Sequence, residues 1–166
     1  MEMKVRPYRT SDLSAVLAIY RLSKLDELRF ESEKSFELLP LERDAKRFAE
    51  LFESQIVVLE QQGKLLGYGA YLDNEIRALF THPDARGRGV GRQILEHLLN
   101  EVGESALLYV ASSNQPAKRL YRRYGFTEVD AFMTEYNGVE VMANTMQRWS
   151  QSGDNQINSE AEHGPT

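Results

Sequence analysis

Residues 79–92 of this chain read LFTHPDARGRGVGR. The first of these residues continue an apolar run from Ile76 to Phe80, which predicts a strand. Pro83 and the glycines that follow stop that strand. From Val90 the apolar residues recur at helical spacing. They are Ile94, Leu95, Leu98, Leu99 and Val102. The stretch therefore predicts a strand that runs through a glycine-rich turn into an amphipathic helix.

The glycine-rich turn suits an anionic ligand. Glycine allows a backbone to approach a ligand closely, and the free amides and dipole of a helix start attract negative charge. Arg86, Arg88 and Arg92 place positive charge at this turn of a chain whose formal net charge is −5. These features favour a phosphate-bearing ligand. The alternative is a turn that merely requires glycine, since short Gly-x-Gly elements also recur by chance.

Two common nucleotide-binding motifs do not fit this turn. The dinucleotide fingerprint Gly-x-Gly-x-x-Gly would need a third glycine at Arg92 if it began at Gly87, or at Ile94 if it began at Gly89. The phosphate-binding loop of nucleoside triphosphatases needs Gly-Lys-Ser/Thr, which is not found here. The sequence therefore excludes both motifs.

The rest of the chain predicts the element order β-αα-βββ-α-β-α-ββ. On the N-terminal side the patterns predict a strand over 3–7, helices over 13 to the low twenties and 40–52, and a hairpin over 56–72. On the C-terminal side they predict a strand over 106–111, a helix over 116–124 and a final hairpin that turns at Asn137 and Gly138. Hairpins mixed with two crossover helices predict an α/β (α+β) domain with a mixed sheet.

Composition narrows the class of protein. With 166 residues, 42% of them hydrophobic, the chain is the size of one domain. We expect that domain at 1–149, followed by a disordered tail at 150–166 where large apolar residues become rare. The absence of cysteine excludes disulfides, thiolate zinc sites and an acyl-cysteine intermediate. Three scattered histidines provide no metal-binding spacing.

Charge and hydropathy predict where the protein acts. We expect a cytoplasmic protein without a membrane segment, because no secretory leader or long apolar run occurs. The acidic balance opposes binding to nucleic acid.

A second motif lies downstream of the glycine-rich turn. It reads Asn114-x-x-Ala117-x-x-Leu120-Tyr121-x-x-x-Gly125-Phe126. Together with Arg86-x-x-Gly89-x-Gly91, it resembles the GNAT superfamily of acetyl-CoA-dependent N-acetyltransferases. The resemblance covers roughly residues 3–148. It implies a mixed, mostly antiparallel sheet with helices on both faces.

The resemblance also implies an activity. The chain would transfer an acetyl group from acetyl-CoA, as co-substrate, to a primary amine of a small molecule or a protein. The amine would attack the thioester directly in a ternary complex, and a homodimer is compatible with the resemblance. The alternative is a non-catalytic module that binds acyl-CoA as a sensor or an interaction partner.

Cofactor-binding residues follow from the same resemblance. Backbone groups of three strand residues would line the pantetheine and acetyl group: Leu79, Phe80 and Thr81. The turn and helix start would hold the pyrophosphate through Arg86, Gly87, Arg88, Gly89, Val90, Gly91 and Arg92. Asn114 would hydrogen-bond the pantetheine arm, or it would cap the helix that Pro116 begins.

Two residues are candidates for catalysis. The resemblance makes Tyr121 the general acid for the leaving thiolate; the alternative is a core aromatic residue. An alkyl amine with a pKa near about 10.4 must lose a proton before it attacks, so a base or an acidic pocket is needed. Glu75, at the start of the strand that ends at Thr81, is the candidate base; the alternative is a solvated turn residue.

The acceptor side leaves two further alternatives open. Tyr109 stands where peptide acetyltransferases of the ribosomal type carry a glutamate, which weakens that role; Tyr109 would relay a proton through water or only pack. The acidic residues between 26 and 44 favour a cationic acceptor, or they form ordinary solvated helix faces.

Overall fold

A seven-stranded sheet organises the chain in a computed structural model that describes residues 2–32, 35–103 and 105–149. The strands are β1 (Lys4–Pro7), β2 (Gln55–Gln61), β3 (Lys64–Leu72), β4 (Glu75–Thr81), β5 (Ser105–Ala111), β6 (Thr127–Tyr136) and β7 (Val139–Trp149). The α-helices are α1 (Leu13–Ser23), α2 (Ala45–Phe52), α3 (Val90–Glu101) and α4 (Gln115–Arg123). This order confirms the predicted one. The tail predicted at 150–166 lies outside the described residues.

The single helix predicted over 40–52 is wrong. A 3₁₀ turn at Leu41–Arg43 is separated from α2 by Asp44, whose backbone is not helical. The Asp44 side chain accepts a hydrogen bond from the Arg47 amide at 3.3 Å and so caps α2. An aspartate that binds a free amide favours a new helix start over continuation of the first turn.

The sheet is mixed and mostly antiparallel, as predicted. Its strand order is β1-β2-β3-β4-β5-β7-β6, and only the β4–β5 pair is parallel among the described strands. Helices cover both faces. Val57 and Leu59 of β2 share a core with α3, whereas Ile56 and Val58 share a second core with α1 and α2. Alternate residues of β2 therefore pack on opposite faces of the sheet.

The parallel β4–β5 pair is very short. It consists of Glu75 opposite Leu107 and Ile76 opposite Leu108. Beyond this point β5 stays paired with β7, while Arg77 forms a bulge in the pairing of β4 with β3. Because bulges bend a strand, β4 turns away from β5. The two strands diverge and leave an opening, which we call the wedge.

Two glycines of β3 hold α3 close to the sheet. A Cβ atom at Gly67 would lie 2.9 Å from Val90 Cγ1, and one at Gly69 would lie 2.7 Å from Ile94 Cγ2. Both separations are shorter than van der Waals contact. Glycine at these positions therefore sets the depth at which α3, and the turn before it, lie against β4.

A buried ion pair fixes the start of α1. Two guanidinium nitrogens of Arg6 donate to the Asp12 carboxylate at 2.8 and 3.0 Å, and the Arg9 amide donates to it at 2.8 Å. The hydrogen bonds with Arg6 hold the pKa of Asp12 below its usual range, so the carboxylate stays ionised. This contact ties α1 to β1 and thereby positions the residues at the C-terminal end of α1.

Replacing Gly69 with alanine should lower the free energy of unfolding by about 1–3 kcal/mol, because the added methyl group overpacks the contact with α3. Urea unfolding followed by circular dichroism measures this loss. Ile94→Ala removes the atom that would clash, so the double variant should lose less than the sum of the single variants. Strictly additive losses would show that α3 does not lie this close to β3.

Candidate active site

The wedge opens into clefts on both faces of the sheet. The α4-side cleft, of about 650 Å³, is bounded by β4, β5, α4 and the turn before α3. The β6-side cleft, of about 690 Å³, is bounded by β5, β6, α2 and the β4 start. The residues that line both clefts are Lys24, Glu27, Arg77, Tyr109, Val110 and Ala111. The two clefts therefore meet at the wedge.

Unpaired backbone lines the wedge. From Arg77 onward, β4 has a strand neighbour only on its β3 side, and β5 from Tyr109 onward has one only on its β7 side. Their facing amide and carbonyl groups lack strand partners within the described residues. An extended ligand that carries amides can pair with such an edge as an added strand does. The α4-side cleft is lined by, among others, the strand residues predicted to bind a cofactor, which are Leu79, Phe80 and Thr81.

The start of α3, next to the wedge, has backbone amides without a side-chain cap. Gly87 and Gly89 adopt positive φ values of 78° and 81°, which favour glycine. Gly89 is the N-cap and offers no side chain, so the first amides of α3, at Val90, Gly91 and Arg92, have no side-chain cap among the residues that the structure describes. These free amides and the helix dipole attract negative charge.

The three arginines of the turn have different partners. Arg86 forms an ion pair with Asp26 across the α4-side cleft, and Arg88 donates a hydrogen bond to the Gln61 side chain. The Arg92 guanidinium would lie 3.2 Å from a Cβ atom at Gly89. It has no carboxylate partner in the part of the chain that the structure describes. Arg92 is thus the arginine available to a ligand without breaking an existing contact.

Asn114 caps α4, which is one of its two predicted roles. Its side-chain oxygen accepts a hydrogen bond from the Ala117 amide at 3.4 Å, which caps α4. The residue is buried and also lines the α4-side cleft. Because the cap uses the oxygen, the amide nitrogen is the group that remains for a ligand.

Tyr121 lies in the α4-side cleft with the predicted cofactor-binding strand residues. Its ring packs edge-on against Phe126, with the ring centroids 5.8 Å apart. No described residue hydrogen-bonds its hydroxyl. Burial raises the pKa of Tyr121, and the negative charge of Glu27 raises it further. The hydroxyl is therefore neutral near pH 7 and carries a proton that it can donate.

Glu75 does not line the cleft that contains Tyr121. It lines the β6-side cleft, and its carboxylate lies 3.5 Å from Arg77 Nε. Thr81 is six strand residues away, or about 20 Å along β4. Glu75 therefore lies in the β6-side cleft, beside the Arg77 guanidinium, and not in the cleft that contains Tyr121.

Glu27 is a carboxylate that sequence reasoning did not single out as a base. It lines both clefts, and its carboxylate lies 3.0 Å from Lys24 Nζ. Tyr109 also lines both clefts, is 54% exposed and packs edge-on against Phe132. No periodicity marks Glu27, because a 3₁₀ turn at Lys24–Leu28 is what brings it over the wedge.

Residues 52–128 match the family model of the acetyltransferase (GNAT) domain. These residues form a GNAT acetyltransferase domain. The match contains the wedge, the start of α3 and Tyr121, so the site described above is the part of the chain on which the family assignment depends. Acetyl-CoA-dependent acetyl transfer is the general activity of this superfamily.

Three known proteins illustrate the similarity. L-amino acid N-acyltransferase MnaT of Escherichia coli is 24% identical over 75% of this chain and 79% of its own. A mycothiol acetyltransferase of Mycobacteroides abscessus is 39% identical over 49% of this chain and 33% of its own. The structure of a GNAT phosphinothricin acetyltransferase from Sinorhizobium meliloti, in complex with acetyl-CoA, aligns with a TM-score of 0.66 at 20% identity. That alignment covers 92% of this chain and 91% of the other.

These similarities differ in extent. The chain spans only about a fifth to a third of the mycothiol acetyltransferases that it matches, and less than a fifth of an uncharacterised protein of Mycobacterium leprae. The structural similarity shows the fold.

None of the described helices has the length and the apolar composition needed to cross a bilayer.

Proposed function

We propose that this protein is an N-acetyltransferase that binds acetyl-CoA in the α4-side cleft and transfers the acetyl group to a primary amine. The main support for the proposal is the wedge. Within the described residues, the facing edges of β4 and β5 have no strand partners and lead toward the uncapped start of α3. Tyr121, which keeps its proton, lines the cleft between them. This arrangement suits a ligand with a diphosphate, an amide-bearing arm and a thioester in series.

Each part of acetyl-CoA has a matching group in this cleft or just beyond it: Arg86 and Gly87 line the cleft, whereas residues 88–92, which follow them, do not. The amides of Gly89 to Arg92 would bind the pyrophosphate, with the Arg92 guanidinium supplying charge. The free edge of β4 at Leu79 to Thr81 would pair with the amides of pantetheine, and the Asn114 amide nitrogen would donate to the same arm. The phosphinothricin acetyltransferase of similar fold was solved with acetyl-CoA, which supports this choice of ligand.

The proposed reaction is direct transfer. The amine nitrogen attacks the thioester carbonyl carbon, and backbone amides of β4 stabilise the oxyanion that forms. The carbon–sulfur bond then breaks, and Tyr121 donates its proton to the leaving thiolate. A base on the acceptor side removes the proton from the amine. Glu75 remains the proposed base, and Glu27, which lines both clefts, is the second candidate.

The acceptor would enter from the β6-side cleft, which meets the cofactor cleft at the wedge. The two substrates would then enter from opposite sides of the wedge, and the amine would meet the thioester within it, as direct transfer in a ternary complex requires. The relatives carry the names of acyltransferases with different acceptors, so they support transfer to an amine without selecting one.

Tyr121→Phe should lower kcat by about 10²–10⁴-fold and leave the Kd for acetyl-CoA nearly unchanged, because the variant loses only the proton donor. Thiol release from acetyl-CoA across a panel of amines measures turnover, and calorimetry measures the Kd. Tyr124→Phe is the matched control, since Tyr124 donates to Glu96 at 2.6 Å and does not line the cleft. Equal turnover in Tyr121→Phe and the wild type would remove Tyr121 from the acid role. Binding without thiol release from any amine would favour a non-catalytic acyl-CoA module.

Gly89→Glu should abolish the binding of acetyl-CoA, because a carboxylate would enter the pyrophosphate site. Gly89→Ala is the matched control, since it imposes the same strain at a positive φ without adding charge. We expect it to retain measurable affinity. If calorimetry shows that both variants bind equally well, the pyrophosphate does not lie at the start of α3.

A further inference from the structure

A small cavity lies beside the wedge, between α1, α2 and the strands β3 and β4. This side cavity has a volume of about 110 Å³. Lys24 and Arg77 line it together with both clefts, and Ala78 and Phe80 line it together with the α4-side cleft. Liquid water occupies about 30 Å³ per molecule, so the cavity has room for one small polar group.

Two residues that line this cavity each carry a buried polar atom without a hydrogen-bond partner among the described residues. Within residues 2–32, 35–103 and 105–149, the buried side-chain nitrogen and oxygen atoms without a hydrogen bond are the Tyr20 hydroxyl and Arg77 Nε. Both residues line the side cavity. Tyr20 is only 3% exposed. Buried polar groups are nearly always paired, so two unpaired atoms at one cavity call for an explanation.

Both atoms can donate a hydrogen bond. The Arg77 guanidinium cannot deprotonate and accepts no hydrogen bonds. Its Nε lies 3.5 Å from Glu75 Oε1, close enough for an ion pair but long for a hydrogen bond. Burial raises the pKa of Tyr20, so its hydroxyl keeps its proton. One group that would satisfy both donors is an oxygen with free lone pairs.

The charge of the cavity indicates which oxygen. Lys24, Arg47 and Arg77 line it, against Glu50 as the one acidic residue of its lining. The carboxylates that hold these three cations are Glu27, Asp44, Glu53 and Glu75, and none of them lines the cavity. The lining itself therefore presents more hydrogen-bond donors than acceptors, which favours a group with acceptor oxygens, and a carboxylate supplies two of them.

We propose that the side cavity binds the carboxylate of the acceptor, so that the substrate is a small amine that also carries a carboxylate. This inference rests on the proposed acetyl transfer. The amine would lie at the wedge beside Tyr121, and the carboxylate would accept hydrogen bonds from Tyr20 and Arg77. Arg77 lines both clefts and the side cavity. The amine and the carboxylate would therefore lie on opposite sides of this one side chain, and a substrate with a short distance between the two groups would fit.

The test compares matched substrates. The proteinogenic L-amino acids, their carboxamides and their decarboxylated amines are assayed for thiol release with acetyl-CoA in excess. We expect kcat/KM to fall by about tenfold to a hundredfold when the carboxylate is replaced, as for the loss of hydrogen bonds to a charged group. Equal kcat/KM for an amino acid and its decarboxylated amine would overturn the proposal and leave the proposed acetyl transfer intact.

Tyr20→Phe tests the site from the side of the protein. The KM for amino carboxylates should rise about tenfold while kcat, the Kd for acetyl-CoA and the KM for decarboxylated amines stay nearly unchanged. Its melting temperature without substrate should equal or exceed that of the wild type, because the hydroxyl has no partner to lose. Tyr8→Phe is the control, since Tyr8 packs on Phe52 and does not line the cavity.

The remaining outcomes are also decisive. A lower melting temperature for Tyr20→Phe with an unchanged KM would show that a bound water occupies the cavity, and it would overturn the proposal. If no amine releases thiol, calorimetry of the same amino acids with the coenzyme A complex still measures the site. Binding that weakens in Tyr20→Phe would then support the carboxylate site while the proposed transfer fails, and the absence of binding would reject both.

Discussion

The divergence of β4 from β5 is the constraint on which the site depends. Two parallel strands that pair over only two residues leave backbone amides and carbonyls without partners. Such groups are costly unless water or a ligand satisfies them. The bulge at Arg77 directs β4 away, and the pairing of β5 with β7 holds the other wall in place. The sheet therefore has, at its centre, the kind of unpaired strand edge with which an extended polar chain can pair.

The helices complete this arrangement. α3 begins where β4 ends, and α4 begins soon after β5, so the N-termini of both helices lie at the same end of the wedge. Glycines in β3 allow α3 to approach the sheet, which brings the uncapped amides at Gly89 to Arg92 next to the free edge of β4. The helix dipole supplies positive potential there in a chain that is acidic overall.

The wedge also separates two kinds of chemistry. The α4 side offers free backbone, helix-start amides and Tyr121, which suit a phosphorylated thioester carrier. The other side offers Glu75, Arg77 and the side cavity at Tyr20, which suit a small polar acceptor. Lys24, Glu27 and Arg77 border both sides, so these charged residues lie where the two substrates would meet.

Much of the fold could be predicted from the sequence because periodicity and turn residues are local signals. The alternation in β2 and the helical spacing after Val90 each identify one element without reference to its neighbours. Gly67, Glu27 and Tyr20 could not be assigned in this way, since their roles depend on what packs against them. The prediction of one helix at 40–52 was wrong because Asp44 caps a new helix start. The spacing of apolar residues gives no information about such a cap.

Amide hydrogen exchange with and without acetyl-CoA tests whether the thioester carrier binds in the wedge. The ligand should slow exchange at residues 79–81, on the free edge of β4, and at 89–92, at the start of α3. Exchange at the β6–β7 turn, residues 137–138, should not change. Unaltered exchange at 79–81 and 89–92 in protein saturated with acetyl-CoA would show that the thioester carrier binds outside the wedge.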